Sequence, residues 1–168
     1  MKLVLARIDD RLIHGQVTVG WGHKLNPDHI VLACDEVALD PWQARVYAMS
    51  VPPQVAVSVM TVAEAARLLG DPDRADLQDR RVMLLTGSPR DMQRLVAAGV
   101  PVRQVNVGGM HYARGKRELV PDIYVDRDDL LALRSIGECG LELLVQAVPG
   151  GQATALEPAQ LRALEDRL

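Results

Sequence analysis

"RVMLLTGSPRDMQRLVAAGV", Arg81–Val100, carries the grammar of the whole chain. After its first residue the run Arg81–Thr86 is almost wholly apolar and reads as a strand buried on both faces of a sheet. Ser88-Pro89 follows, a hydroxyl able to cap a helix and a proline suited to its first position. The amphipathic stretch behind them ends at Gly99, where a helix would stop. Strand, cap, helix and stop make one βα unit.

The unit repeats in both directions. Lys2–Ile8, His29–Cys34, Gln54–Met60, Val102–Val107, Asp122–Val125 and Leu141–Val148 read as further short strands. Asp40-Pro41 starts a helix as Ser88-Pro89 does, Thr61 and Glu64 fit a capping box, Asp126 caps Arg127–Ile136, and Gly140 is a stop. The expected fold is therefore α/β: a single domain over residues 1–168, with an open, mostly parallel twisted sheet of about seven strands and helices on both faces. Residues 149–168 break the pattern at Pro149-Gly150-Gly151. They end in an expected helix, Pro158–Leu168, with Leu161, Leu164 and Leu168 at helical spacing, packed on its own domain or on a partner.

Composition narrows the function. About half of the residues are hydrophobic, enough for a sizeable core. A net charge of −3, with only two tryptophans, three tyrosines and no phenylalanine, argues against nucleic acid as a partner. Cys34 and Cys139 form no CxxC pair and read as two buried thiols of a reducing compartment. The opening "MKLVLARIDDR" is too soon charged for a secretory leader and no run is long enough to span a bilayer, so a soluble, cytoplasmic protein is expected.

Ligands of open parallel sheets bind beyond the carboxyl ends of the strands. The first such end is "RIDDRLIHGQV", Arg7–Val17. His14 there is a nucleophile at neutral pH by virtue of its imidazole, or else a hydrogen-bonded helix-start residue. Arg7 and Arg11 suit phosphate oxygens, and free N–H groups at Gly15 and Gln16 would face the same spot if a helix begins there. Asp10 or Asp9 can hold the unreactive ring nitrogen of His14, or cap turns and pair with the arginines; Asp9 leans to the structural role. "NVGGMHYARGK", Asn106–Lys116, supplies Gly108 and Gly109 as a wall of the phosphate site or as an ordinary turn, with His111 at the wall or in an exposed turn. "TGSPR", Thr86–Arg90, is a helix cap that could border the pocket; His23 and His29 are expected at the surface, and Trp21 and Trp42 in a core or an interface. A metal held by Asp9, Asp10, His14, Asp35 and Glu36 is a rival use of these side chains, with no ligand spacing behind it.

"RIDDRLIHGQV", "DEVALD", "VPPQV" and "NVGGM…GK", in this order and spacing, resemble the enzyme IIB components of the mannose/sorbose class of the bacterial phosphotransferase system, over roughly Leu3 to Val148. The resemblance implies that His14 accepts a phosphoryl group from a histidine of enzyme IIA. It implies passage to a sugar imported through the membrane components IIC and IID, a peripheral membrane association, and neither cofactor nor metal. His14 with Arg11 and Asp10 would be catalytic; Arg7, Gly15, Gln16, Gly108 and Gly109 would bind phosphate. The chain departs from the family pattern at Gly20 and Gly22, which flank Trp21 in the first helix, and at the turn after Val148. A phosphocarrier that signals without transporting sugar, a histidine phosphatase and a purely structural module are the alternatives, and a homo-oligomer is left open.

Overall fold

The structure, a computed structural model, describes residues 1–73 and 77–165. One sheet organises them, in strand order β3-β2-β4-β1-β5-β8-β9. β1 (Lys2–Asp9) lies centrally between β4 (Arg81–Thr86) and β5 (Gln104–Gly109); β2 (His29–Ala33) and β3 (Ala56–Met60) extend the sheet beyond β4, and β8 (Glu142–Val145) extends it beyond β5. All these neighbours run parallel, and only β9 (Thr154–Ala155) is antiparallel, along β8.

The membership of the sheet differs from the sequence reading in one place. Residues 122–125 do not join it: β7 (Ile123–Val125) pairs antiparallel with β6 (Arg117–Val120) in a separate hairpin, tied to the end of β5 by the Met110–Ile123 bridge. Asp122, at φ +67°, takes the left-handed turn conformation that the reversal uses and that aspartate tolerates. β9 fills the seventh place in the sheet instead.

Strand periodicity sorts the core into two layers. Ala6 and Ile8, Val31 and Ala33, Val82 and Leu84, Val105 and Val107 face one layer, closed by α4 (Val62–Gly70), α5 (Pro89–Ala97), α6 (Arg127–Glu138) and α7 (Pro158–Glu165). Ile30, Leu32, Met83 and Leu85 face the other, closed by Leu12, Ile13 and a π-helix at Gln16–Trp21 that continues into α1 (Gly22–Leu25). Val37 of α2 (Asp35–Ala38) and Tyr47 of α3 (Pro41–Met49) complete that second layer. The expected caps form: Asp40 accepts from the N–H groups of Trp42 and Gln43, Ser88 from Asp91, and Thr61–Glu64 and Asp126–Asp129 close capping boxes. α7 packs on its own domain, with Leu161 buried and Glu165 bonded to Arg134 at 2.6 Å; Leu168 lies outside the described residues. Cys34 is half-buried and Cys139, the residue capping the end of α6, is exposed, so the pair of buried thiols expected from the sequence is not found.

The same periodicity aims two charges at one spot. Arg7 and Asp9 alternate with Ala6 and Ile8 along β1, so they face the second layer, where the neighbouring strand presents Asn106 and Gly108. A polar column thus runs through the middle of an apolar sheet.

Candidate functional site

The loop after β1 is seated by its apolar residues. Leu12 and Ile13 are buried, Leu12 at φ +58°, a costly backbone for a leucine. Gly87 makes room for it, since a Cβ there would stand 3.1 Å from Leu12 Cδ2. With Leu12 and Ile13 pinned below, Arg11 and His14 are left at the rim, with 40% and 18% of their side chains open to solvent.

Asp9 is the hub of the site. Its Oδ2 lies 3.0 Å from His14 Nε2 and accepts from Arg7 Nη2 at 2.7 Å and Nε at 3.2 Å. Its Oδ1 accepts the Arg11 backbone N–H at 3.1 Å and faces Arg11 Nε at 3.4 Å. Burial would raise the Asp9 pKa, but the hydrogen bond to His14 and the charge and hydrogen bonds of Arg7 outweigh it and hold the carboxyl below its ordinary value. Burial likewise pulls Arg7 down from the ordinary guanidinium value, against the charge and hydrogen bond of Asp9. Arg7 spends its remaining donors on Asn106 Oδ1 and on the backbone carbonyls of Gln146 and Ala147, each at 3.0 Å, while its guanidinium lies 5.7 Å from the centroid of the Trp21 ring.

A carboxylate on Nε2 decides the tautomer of His14. With Nε2–H donating to Asp9, the lone pair remains on Nδ1. That nitrogen accepts the Gln16 backbone N–H at 3.3 Å, a long and weak bond at the start of the π-helix. Arg11 arches over the same turn, donating from Nη2 to Gln16 Oε1 at 2.8 Å. The result is a ring nitrogen at the rim that carries a lone pair and faces one backbone N–H, with the Arg11 guanidinium held over the same turn by Gln16.

Several expected roles change places. Asp10 does not hold His14; its carboxylate accepts from the backbone N–H and faces Nδ1 of His111, both at 2.6 Å. Asp9, expected to be structural, takes the ring because only alternate residues of β1 share its face. Arg7 cannot face phosphate, being fully buried with every direction of its guanidinium engaged. Gly108 and Gly109 lie inside β5 rather than in a loop after it, and their missing side chains leave space for Arg7 and Asp9: a Cβ at Gly108 would fall 1.7 Å from Arg7 Cζ, and one at Gly109 would fall 3.0 Å from Asp9 Oδ1. Nothing lies within 4 Å of the position a Cβ would take at Gly15, so this end of the helix is open to a ligand. His111 is exposed and ties the end of β5 to the loop after β1 through Asp10. His29 faces Ser58 Oγ at 2.8 Å.

Asn106 and the carbonyls of Gln146 and Ala147 went unnoticed in the sequence. Asn106 left a trace, a polar residue set between the buried Val105 and Val107. The two departures from the family pattern meet in space: Gly20 lies against Pro149, where a Cβ would be 3.3 Å from Pro149 Cδ. The turn after β8 thereby packs on the π-helix and presents its carbonyls to Arg7. The rival metal cluster does not assemble: Asp35 is held by Arg94 and the Val62 N–H, Asp10 by His111, and no group of three or more metal-ligating side chains exists among the described residues.

An open α/β sheet with a carboxylate-oriented histidine at the end of its central strand defines the class. The chain belongs to the sorbose subfamily of phosphotransferase-system IIB components, whose family model matches residues 3–165. It is 40% identical over 148 residues to the mannose-specific EIIAB component of Escherichia coli K12, covering 88% of this chain and 45% of that protein. The chain thus spans about half the length of these EIIAB relatives. The sorbose-specific EIIB component of Lacticaseibacillus casei is 34% identical, with 88% of both chains covered. Among solved structures, the IIBSor domain of the sorbose permease from Klebsiella pneumoniae superposes with a TM-score of 0.87 at 31% identity, covering 97% of this chain and 98% of that one.

Proposed function

We propose that this chain is a phosphocarrier: His14 accepts a phosphoryl group from a phosphohistidine of an enzyme IIA and passes it to a sugar entering through membrane IIC and IID components. The observation that carries the reading is the Asp9–His14 contact, which leaves Nδ1 as the attacking nitrogen at the rim. Membership of the IIB family supports it.

The chemistry follows from positions. Nδ1 of His14 attacks the donor's phosphorus in line; the new N–P bond forms as the donor's N–P bond breaks, and the donor imidazole leaves with the electron pair. Positive charge develops on the His14 ring, and Asp9, already ionised, stabilises it through Nε2–H. The Gln16 N–H swings from the lone pair it now faces to a phosphoryl oxygen, and Arg11 leaves Gln16 Oε1 to do the same. Phosphoryl transfer asks for positioning and charge neutralisation more than for acid or base chemistry. In the second step a sugar hydroxyl attacks the phosphorus, the N–P bond breaks, Nδ1 recovers its lone pair, and the hydroxyl proton passes to solvent. Arg7 acts only through Asp9 and is a positioning residue.

The test is intact mass after incubation with phosphoenolpyruvate, enzyme I, HPr and a cognate IIA. A single acid-labile gain of about 80 Da, one phosphoryl group, is expected for the wild type and not for His14→Ala. No gain on the wild type, with the IIA itself charged, would sink the relay.

A further inference from the structure

The guanidinium of Arg11 faces two oxygens and takes the neutral one. Its Nη2 donates to Gln16 Oε1 at 2.8 Å, whereas its Nε lies 3.4 Å from Asp9 Oδ1, long for a hydrogen bond. The carboxylate is engaged elsewhere: Oδ1 accepts the Arg11 backbone N–H, and Oδ2 meets Arg7 and His14. Gln16 also touches the nucleophile, through its main chain, with its N–H 3.3 Å from His14 Nδ1. One residue thus contacts both the atom that takes the phosphoryl group and the cation held over the same turn. Gln16 opens the π-helix behind Gly15, and nothing lies within 4 Å of the position of a Cβ at Gly15, so this side of the turn is open.

Resting on the phosphocarrier reading, we propose that the Gln16 side chain is a positioning residue that sets how tightly the carrier holds its phosphoryl group. A carrier must release the group as readily as it accepts it, so a cation that stabilises the phosphorylated form needs a partner to return to. An amide oxygen suits that exchange. Being neutral, it yields Arg11 to a phosphoryl oxygen, because a hydrogen bond between two ions is stronger than one between an ion and an amide. Once the N–P bond breaks and the group leaves, Oε1 takes the guanidinium back and stabilises the unphosphorylated carrier. A carboxylate at position 16 would retain Arg11 by charge and repel the incoming group. A methyl group there would offer Arg11 no acceptor at all. Gln16 acts through Arg11, with which its side chain makes the 2.8 Å contact.

The test is the balance of phosphate between IIA and the carrier, read by intact mass after phospho-IIA and the unphosphorylated carrier have exchanged to equilibrium. Gln16→Ala removes a hydrogen bond from the unphosphorylated form only. The balance is expected to shift about three- to tenfold toward the phospho-carrier, the range for one such bond. Gln16→Glu is expected to shift it the other way by about tenfold or more. In an Arg11→Ala background, Gln16→Ala is expected to leave the balance within about twofold, since the cation through which it acts is gone. An unmoved or oppositely moved balance in Gln16→Ala overturns the proposal. So does an equal shift with Arg11 absent, the result of a merely local change in the turn. If the wild type takes no phosphate from charged IIA, the His14 reading falls and this proposal with it. A wild type that charges normally beside a Gln16→Ala variant of the same balance overturns this proposal alone.

Discussion

Arg7 and Gly108 share one volume. The guanidinium of Arg7 lies where the side chain of residue 108 would stand, with Cζ 1.7 Å from the position of a Cβ. Adding that single carbon forces Arg7 out of its pocket and separates a buried cation from Asp9, Asn106 and two carbonyls. Gly108→Ala is expected to cost about 3–5 kcal/mol, the range for breaking a buried pair rather than for simple overpacking. Urea unfolding measures it; a loss under about 1 kcal/mol would show that Arg7 can move aside freely.

Asp9 and Asp10 are neighbours with different tasks, and substitution separates them. Asp9→Asn keeps the shape but removes the charge that fixes the His14 tautomer and stabilises its imidazolium. Charging of His14 is expected to slow by a factor of about 10² or more, by analogy with carboxylate-to-amide changes in other histidine sites. Asp10→Asn, which touches His111 instead, is expected to slow it less than about tenfold. Rapid-quench phosphorylation ranks the two, and the opposite order would refute the assignment.

The arginines divide in the same way. Arg11, largely at the surface, is expected to be replaceable by alanine with under about 0.5 kcal/mol of lost stability and a clear loss of phosphorylation rate. Arg7→Ala leaves the buried Asp9 without its main cation and is expected to lose about 3–5 kcal/mol. Thermal unfolding alongside the phosphorylation assay reads both halves.

Acid stability carries the signature of Asp9. Its folded pKa is depressed, so the unfolded chain binds the proton more tightly and the contribution to stability is fully present above the unfolded value, near 3.9. As pH falls below that value, stability should decline until the folded pKa is passed, and then flatten. Denaturant titrations across this acidic range should show the decline for the wild type and a smaller one for Asp9→Asn. Equal slopes would mean that other carboxylates dominate.

The linear pattern determined much of this. The βα alternation, the caps at Asp40, Ser88, Thr61 and Asp126, and the charged strand end at Arg7–Val17 depend on neighbours within a few residues, and such signals survive in one dimension. The fold class and the position of His14 just beyond the carboxyl end of the central strand could be read from them. Tertiary structure alone decided which partner each charge takes. Arg7 meets Asn106 and the Gln146 and Ala147 carbonyls from remote segments because β5 and β8 are laid beside β1, and the chain does not announce that order. The same stacking moved Gly108 from a phosphate wall to a seat for Arg7 and put Asp9, not Asp10, on the histidine. Contacts across a sheet depend on strand order and register, and these are settled by packing the whole core at once.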